Sequence, residues 1–279
     1  MKKSRSLRSM IIFLAVVLVI PILCFSLYLQ AQTWKIMKHN LQRELSGELN
    51  TADHILQMIV DKYDMVLYDF CTDDAMIELV EDINESEKPS DALKYQIRRN
   101  LAHICNRNEG VEGITLITES GQVCFYDKRA ASFVSTKWAN RISVSDIQDQ
   151  MALYRGSSEV IGEAEHPVHM FQLVRRLADY RNINRRIGTV ILSVDQSVLW
   201  KEIQVSAQSS VYVCESGQII AAADTKQIGS SILSKPQRGY RVLQTKNKKT
   251  GWDVYHFYET AQFEQMVFTN ICIGLGTLA

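Results

Sequence analysis

Asp195 closes the apolar run Ile187–Val194 and stands directly before Gln196-Ser197-Val198-Leu199-Trp200, which reads as the start of a helix. An aspartate there has two uses. Its carboxylate accepts hydrogen bonds from a cationic or polyhydroxyl ligand, or it caps the following helix. His169, Phe171 and Arg175 recur at even spacing within Val168–Leu177, so they share one face if that segment is a strand. An arginine beside an aromatic ring clamps an anion, faces solvent, or pairs with an acid. Tyr126, at the end of an earlier apolar run, joins them as a candidate ligand residue. Glu163, Glu165, His166 and His169 are of metal-competent types. Pro167 and an extended backbone oppose their convergence, and no spacing matches a zinc pattern, so no metal site is expected. There is no Gly-rich phosphate loop, G-x-S-x-G elbow or H-E-x-x-H pair, and Ser206, Ser209 and Ser210 lack an evident base. No catalytic residue and no cofactor are expected.

The elements that must position these residues follow from periodicity. From Trp34 to about Ile83, apolar residues recur at three- and four-residue steps, predicting a long helix. It serves as a stalk, a dimer seam or a packed amphipathic helix. The polar stretch Asn84–Asp91, with Pro89, ends it, and a second helix is expected over Ala92–Cys105. Beyond Gly110 the period becomes two. Gly113–Thr118 and Gln122–Tyr126 flank Glu119-Ser120-Gly121 as a hairpin. Trp138–Tyr154 reads as a helix, and Ser158–Gly162, Val168–Leu177 and Ile187–Val194 as three strands. A strand-turn-strand pattern returns at Ser210–Ala221, repeating Glu-Ser-Gly-Gln, and Tyr240–Thr245 and Trp252–Phe257 add two strands around Asn247–Gly251. Within that turn region, Lys246-Asn247-Lys248-Lys249 reads as a solvated hairpin tip. The fold class is α+β, with two similar sheets in series, the second smaller.

The two ends place the chain in a membrane. Met10–Leu29 is twenty residues without a charge, about 30 Å of helix and the thickness of a bilayer core. Lys2, Lys3, Arg5 and Arg8 precede it with no acid among them, which puts the N-terminus in the cytoplasm. The run is longer than a signal peptide's apolar stretch and lacks a good cleavage site, so an uncleaved anchor is expected. Met266–Ala279 is also uncharged and reads as a second span cut off partway, leaving residues about 31–264 outside the cell. Cys71, Cys105, Cys124 and Cys214 fall in that part, where disulfides are permitted. Their spacing fixes no pairing, and four buried thiols fit equally well. With 31 Lys+Arg against 31 Asp+Glu, the chain lacks the basic excess of a nucleic-acid binder.

A membrane helix, a stalk helix, two sheet modules and a second span resemble the double Cache extracellular sensor, a PAS-like family. Ile187-Gly188-Thr189 through Asp195 resembles the closing strand of the membrane-distal module. Cys214–Ala221 with Ile228-Gly229 resembles the opening hairpin of the proximal one, and Gly251-Trp252 before a strand also fits. The basic N-terminus and layout are similar to YesM-type sensor histidine kinases. The resemblance implies a basic N-terminus over 1–9, a transmembrane helix over 10–30, stalk and distal module over 31–200, proximal module over 201–262 and a partial second helix over 263–279. It implies a small-molecule ligand in the distal module, a homodimer, and a response regulator reached only through a missing kinase region. In the family's amino-acid-binding branch, Arg-x-Trp-Tyr, Tyr-x-Asp and a closing Asp hold the ligand. Trp138 and Asp195 fit the Trp and closing Asp, but Thr136 and Ala139 stand at the Arg and Tyr positions, and no Tyr-x-Asp follows. The candidate ligand set is therefore Tyr126, Trp138, Phe171, Arg175 and Asp195, for an unknown ligand. Other outputs remain open: a membrane-bound transcriptional regulator, a chemotaxis receptor or a cyclic-nucleotide enzyme. From another class come an anchored extracytoplasmic enzyme or an assembly protein.

Overall fold

The computed structural model describes residues 2–128, 152–161, 168–179, 185–203, 209–234, 239–259 and 261. The chain divides into two units, one of residues 1–48, 237–241 and 258–279, the other of 49–236 and 242–257. In the first, helix α1 (Lys2–Cys71) begins and carries Pro21 within its run. Phe13, Leu14, Val17–Ile20, Ile22, Phe25 and Leu27–Leu29 are all exposed on it. Among the described residues α1 is the one helix long and apolar enough to cross a membrane. The expected second span, Met266–Ala279, lies outside the described residues.

In the second unit the apolar stripe of α1, Leu49, Ala52, Leu56, Val60, Tyr63, Leu67 and Phe70, is buried, as three- and four-residue spacing dictates for a helix packed on one side. The expected helix to Ile83 is interrupted. Thr72 folds its N–H and Oγ1 back onto the Tyr68 carbonyl (3.0 and 2.9 Å), closing α1. Asp73 then accepts the Met76 N–H (2.9 Å) and opens α2 (Asp74–Glu85). An aspartate that caps a new helix outcompetes continuation of the old one. Ser90 caps α3 (Asp91–Arg107) in the same way, accepting from the Leu93 N–H (3.3 Å).

The first sheet contains β1 (Val111–Thr118), β2 (Val123–Asp127), β3 (Ala152–Ile161), β4 (Val168–Ala178) and β5 (Arg186–Asp195). Its order is β2-β1-β5-β4-β3 and every pairing is antiparallel. The end of the expected Trp138–Tyr154 helix is corrected here: Ala152–Tyr154 pair in β3 with Leu173–Arg175, a tertiary ladder overriding local propensity. The rest of that helix, Trp138 included, lies outside the described residues. After α4 (Ser197–Ile203), the second sheet is built from β6 (Ser209–Glu215), β7 (Gln218–Ala221), β8 (Tyr240–Lys246) and β9 (Asp253–Glu259), in the order β7-β6-β9-β8. The repeated Glu-Ser-Gly-Gln closes two different turns. In the second sheet Ser216 (φ 50°) and Gly217 (φ 80°) form a two-residue connection between paired Glu215 and Gln218. In the first, only Gly121 of the turn has positive φ, and the Ser120 N–H is held by Asn84 Oδ1 (2.9 Å), whose Nδ2 donates to the Ile187 carbonyl (2.8 Å).

One hydrophobic core serves both sheets. It joins the α1 stripe, α2, α3 and one face of the first sheet to Val211, Val213, Ile220, Ala221, Trp252 and Val254 of the second. Phe171 sits at its centre, edge-on to Tyr63 (6.2 Å between ring centroids) and to Trp252 (6.0 Å). Beside it, β3 meets the second sheet at Gly156, where an added Cβ would lie 2.4 Å from Ile220 Cγ2 and 2.9 Å from Ile220 Cβ. Overpacking of that kind costs about 1–3 kcal/mol. Gly156→Ala is therefore expected to lower the urea midpoint by a corresponding amount, and Ile220→Val in the same chain to recover part of it. Equal stability of Gly156→Ala and the parent would contradict this contact.

Candidate functional site

The two faces of the first sheet differ in chemistry. The face toward the helices carries Ile114, Leu116, Phe171, Leu173, Leu177, Val190, Leu192 and Val194, all in the main core. The other face carries the alternate residues. Their cross-strand rows run Phe125–Thr115–Ile191–Val174–Leu153, Gly113–Ser193–Gln172–Arg155 and Ile117–Thr189–Arg176, with Asp195 opposite Met170 at the end. Among the described residues here, Val174 and Ile191 form a small apolar cluster, with Ile117 and Leu153 against them. Thr115, Gln172, Thr189 and Ser193 are buried polar side chains among them. Gln172 Nε2 donates weakly to Ser193 Oγ (3.4 Å) and Arg186 Nη2 donates to Thr189 Oγ1 (2.6 Å). Hydroxyls and an amide cost free energy to bury, and a sheet needing only a core would carry Val or Ile there. This row of donors and acceptors, with Arg155 and Arg176 on the same face, is a floor suited to a small polar molecule.

The structure separates the residues expected from sequence. Phe171 is fully enclosed in the core and Arg175 points to the same side, where its Nη1 meets Asp64 Oδ1 of α1 (3.0 Å) and its guanidinium lies 5.0 Å from the Tyr68 ring centroid. Tyr126 shares that face by register, half-buried on edge strand β2, and donates to Asn106 Oδ1 (3.3 Å). Asp195 belongs to the polar floor by alternation, and its Oδ1 accepts the Ser197 N–H (2.8 Å) at the start of α4. Trp138 lies outside the described residues, as do Glu163, Glu165 and His166. The floor residues Thr115, Gln172, Thr189 and Ser193 do not stand out in the sequence: Thr189 and Ser193 sit inside the apolar run of β5, and Thr115 and Gln172 are single polar residues between apolar neighbours in β1 and β4. The signal was present: Thr189, Ser193 and Asp195 fall at steps of two and four along β5, a polar face hidden in an apolar strand.

The tip of the β8–β9 hairpin is the second departure. Expected as solvated, it is anchored. Asn247 is buried, donates through Nδ2 to Asp53 Oδ1 (2.8 Å), and accepts at Oδ1 from the N–H groups of Lys249 and Thr250 (3.1 and 3.0 Å). Lys249 Nζ reaches Asp61 Oδ1 (2.5 Å) and Asp64 Oδ2 (2.8 Å), and Tyr154 donates to that same Asp64 oxygen (3.2 Å). Burial alone would lower the Lys249 pKa, but the hydrogen bonds that Lys249 donates to Asp61 and Asp64 outweigh it and raise the pKa well above its ordinary value. For Asp61, partial burial acts upward, and the Lys249 and Gln57 hydrogen bonds overcome it to hold the carboxyl below its usual range. Nearby, Glu215 accepts the Gly156 N–H at Oε2 (2.9 Å) and the Trp252 indole N–H at Oε1 (3.4 Å), and burial raises its pKa. Cys71, Cys105, Cys124 and Cys214 are buried free thiols, and burial pushes Cys71, Cys105 and Cys214 up to about 12.

No family model matches the chain, and no curated protein matches it. Solved structures do. The sensor domain of the V. cholerae histidine kinase DctB aligns at TM-score 0.58 and 10% identity, covering 80% of this chain and 98% of that one. The ligand-binding domain of the Pseudomonas aeruginosa chemoreceptor PctB, solved with L-Arg, aligns at TM-score 0.57 and 10% identity, covering 80% and 97%. An extracellular ligand binding receptor from Desulfohalobium retbaense gives 0.52 and 13%, covering 77% of this chain, which spans 40% of that receptor. The chain therefore shares the α+β fold of extracellular ligand-binding sensor domains.

The charges at the hairpin tip give a pH signature. A lysine with a raised pKa contributes stability that is present below its ordinary value of 10.5 and is lost as pH rises through the folded value. An aspartate with a lowered pKa contributes stability that is present above 3.8 and is lost as pH falls through the folded value. Lys249→Met is expected to cost about 0.5–1 kcal/mol between pH 5 and 9, measured by urea unfolding. The gap from the parent should narrow below pH 3.8. A gap independent of pH down to full carboxyl protonation would contradict the assignment.

Proposed function

We propose that this chain is the ligand-sensing and membrane part of a bacterial signal-transduction receptor, of the double Cache type and most simply a YesM-type sensor histidine kinase. The reading rests on one observation: a sheet with one face sealed on α1 and the other bearing the buried row Thr115, Gln172, Thr189 and Ser193. The shared fold with histidine-kinase and chemoreceptor sensor domains supports it, as does a helix apolar enough to cross a membrane at the basic N-terminus. On this reading residues 10–30 span the membrane, the two sheets lie outside within residues 31–264, and the receptor works as a homodimer. Asp195 and the arginines flanking the floor orient a small polar ligand carrying at least one strong hydrogen-bond acceptor. PctB was solved with an amino acid. Amino acids are therefore worth including among the ligands tried, although Thr136 and Ala139 depart from the amino-acid-binding pattern.

The test uses the full chain in nanodiscs and thermal unfolding against amino acids, short carboxylic acids and polyols. One class is expected to raise Tm, by the equivalent of about 2.7 kcal/mol at a hundredfold excess over Kd. Gln172→Met with Ser193→Ala should abolish that rise while leaving the unliganded chain about as stable as the parent, because both members of a buried polar pair are removed together. Tyr126→Phe should leave the rise intact. A Tm shift that survives the double substitution would place the ligand elsewhere.

A further inference from the structure

The Asp64 carboxylate stands where four elements meet. It lies on α1, takes Arg175 of β4 on Oδ1, and takes Lys249 of the β8–β9 hairpin and Tyr154 of β3 on Oδ2. Its side chain is 17% exposed, and Arg175 and Lys249 are 16% and 26% exposed, so water screens the group only in part. The acids along this side of α1, Asp53, Asp61 and Asp64, follow helical spacing beside the buried stripe, and each touches the hairpin through Asn247 or Lys249. β4 therefore has two working faces. Gln172 and Arg176 point to the polar floor, while Arg175 points to Asp64.

We infer that Asp64 is a shared carboxylate for which Arg175 of the first sheet and Lys249 of the second compete. Two cations on the two oxygens of one anion repel each other and divide its charge, so weakening one contact strengthens the other. A displacement of β4 that draws Arg175 away from Asp64 tightens Lys249 onto it and seats the hairpin more firmly. A displacement that drives Arg175 in does the reverse. Asp64 is thus a positioning residue through which the first sheet sets the hold of the second on α1. The inference stands on these contacts alone and does not depend on the identity, or the existence, of a ligand on the floor.

Hydrogen exchange of the full chain in nanodiscs, read by mass spectrometry over residues 246–252, tests it. The reporting amides are those of Asn247, Lys249, Thr250 and Gly251, which are bonded within the tip. Arg175→Met touches none of them directly. It is expected to slow their exchange about two- to tenfold, the lower part of the range of coupling between neighbouring groups. The change should vanish in a Lys249→Met background. Arg175→Gln, which keeps a hydrogen-bond donor but removes the charge, should slow exchange in the same direction, and Arg175→Lys should stay near the parent. Exchange that is unchanged or faster in Arg175→Gln overturns the inference, because Arg175 then supports the tip instead of competing for it. Slowing that persists without Lys249 overturns it as well.

Discussion

Burial of the α1 stripe is the constraint from which the rest of this architecture follows. Leu56, Val60, Tyr63 and Leu67 must leave water, and each fully buried aliphatic or aromatic side chain is worth about 1.5–3 kcal/mol. Among the described residues they are received by α2, α3, one face of the first sheet and the inner residues of the second. Phe171 is the meeting point, with Tyr63 of the helix on one edge and Trp252 of the second sheet on the other. An arrangement that detached either sheet from α1 would expose part of the same core, so the helix and both sheets of that unit gain stability from one another.

That constraint also frees the far face of the first sheet. A sheet packed on one side can carry polar groups on the other, provided something repays their desolvation. Thr189 does so through Arg186, and Gln172 and Ser193 do so weakly through each other. That weak mutual satisfaction leaves these groups with hydrogen-bonding capacity to spare, as the proposed ligand floor requires. The polar rim of α1 follows similar logic. Asp53, Asp61 and Asp64 stand just off the buried stripe, Asp53 bonded to the Asn247 amide, Asp61 and Asp64 paired with Lys249 and only the Asp64 pair partly shielded, and they receive the hairpin where an apolar contact could not specify its register.

Much of the architecture was legible in the sequence because it is written in periodicity. The α1 stripe, the hairpin around Gly121 and most strands of both sheets follow from three- to four-residue or two-residue spacing, the start of β3 being the exception, and Met10–Leu29 stands out as an unbroken uncharged run. What periodicity does not carry is which face of a strand meets which partner. His169, Phe171 and Arg175 were correctly placed on one face, but that face belongs to the helix, and the choice is made by α1 residues more than a hundred positions earlier. The break at Thr72–Asp73 was hidden because the apolar spacing continues across it, although Asp73 carries the chemistry of a cap. Lys246–Lys249 looked like an exposed charge run because its acidic partners are nearly two hundred residues away in the chain. Long-range pairing of charges leaves no local mark.

Glu215 has one more consequence. Among the described strands β3 is the rim of the first sheet, and a rim strand offers open backbone groups on which another chain can build. At Gly156 that opening is already filled, since the Glu215 carboxylate takes the N–H and the Ile220 side chain lies where any added atom would have to go. A second copy seeking to extend the sheet there would have to strip a half-buried anion of its partners and put nothing equivalent in their place. The residue that fastens the two sheets together therefore also occupies the backbone donor that an added strand would need at this point.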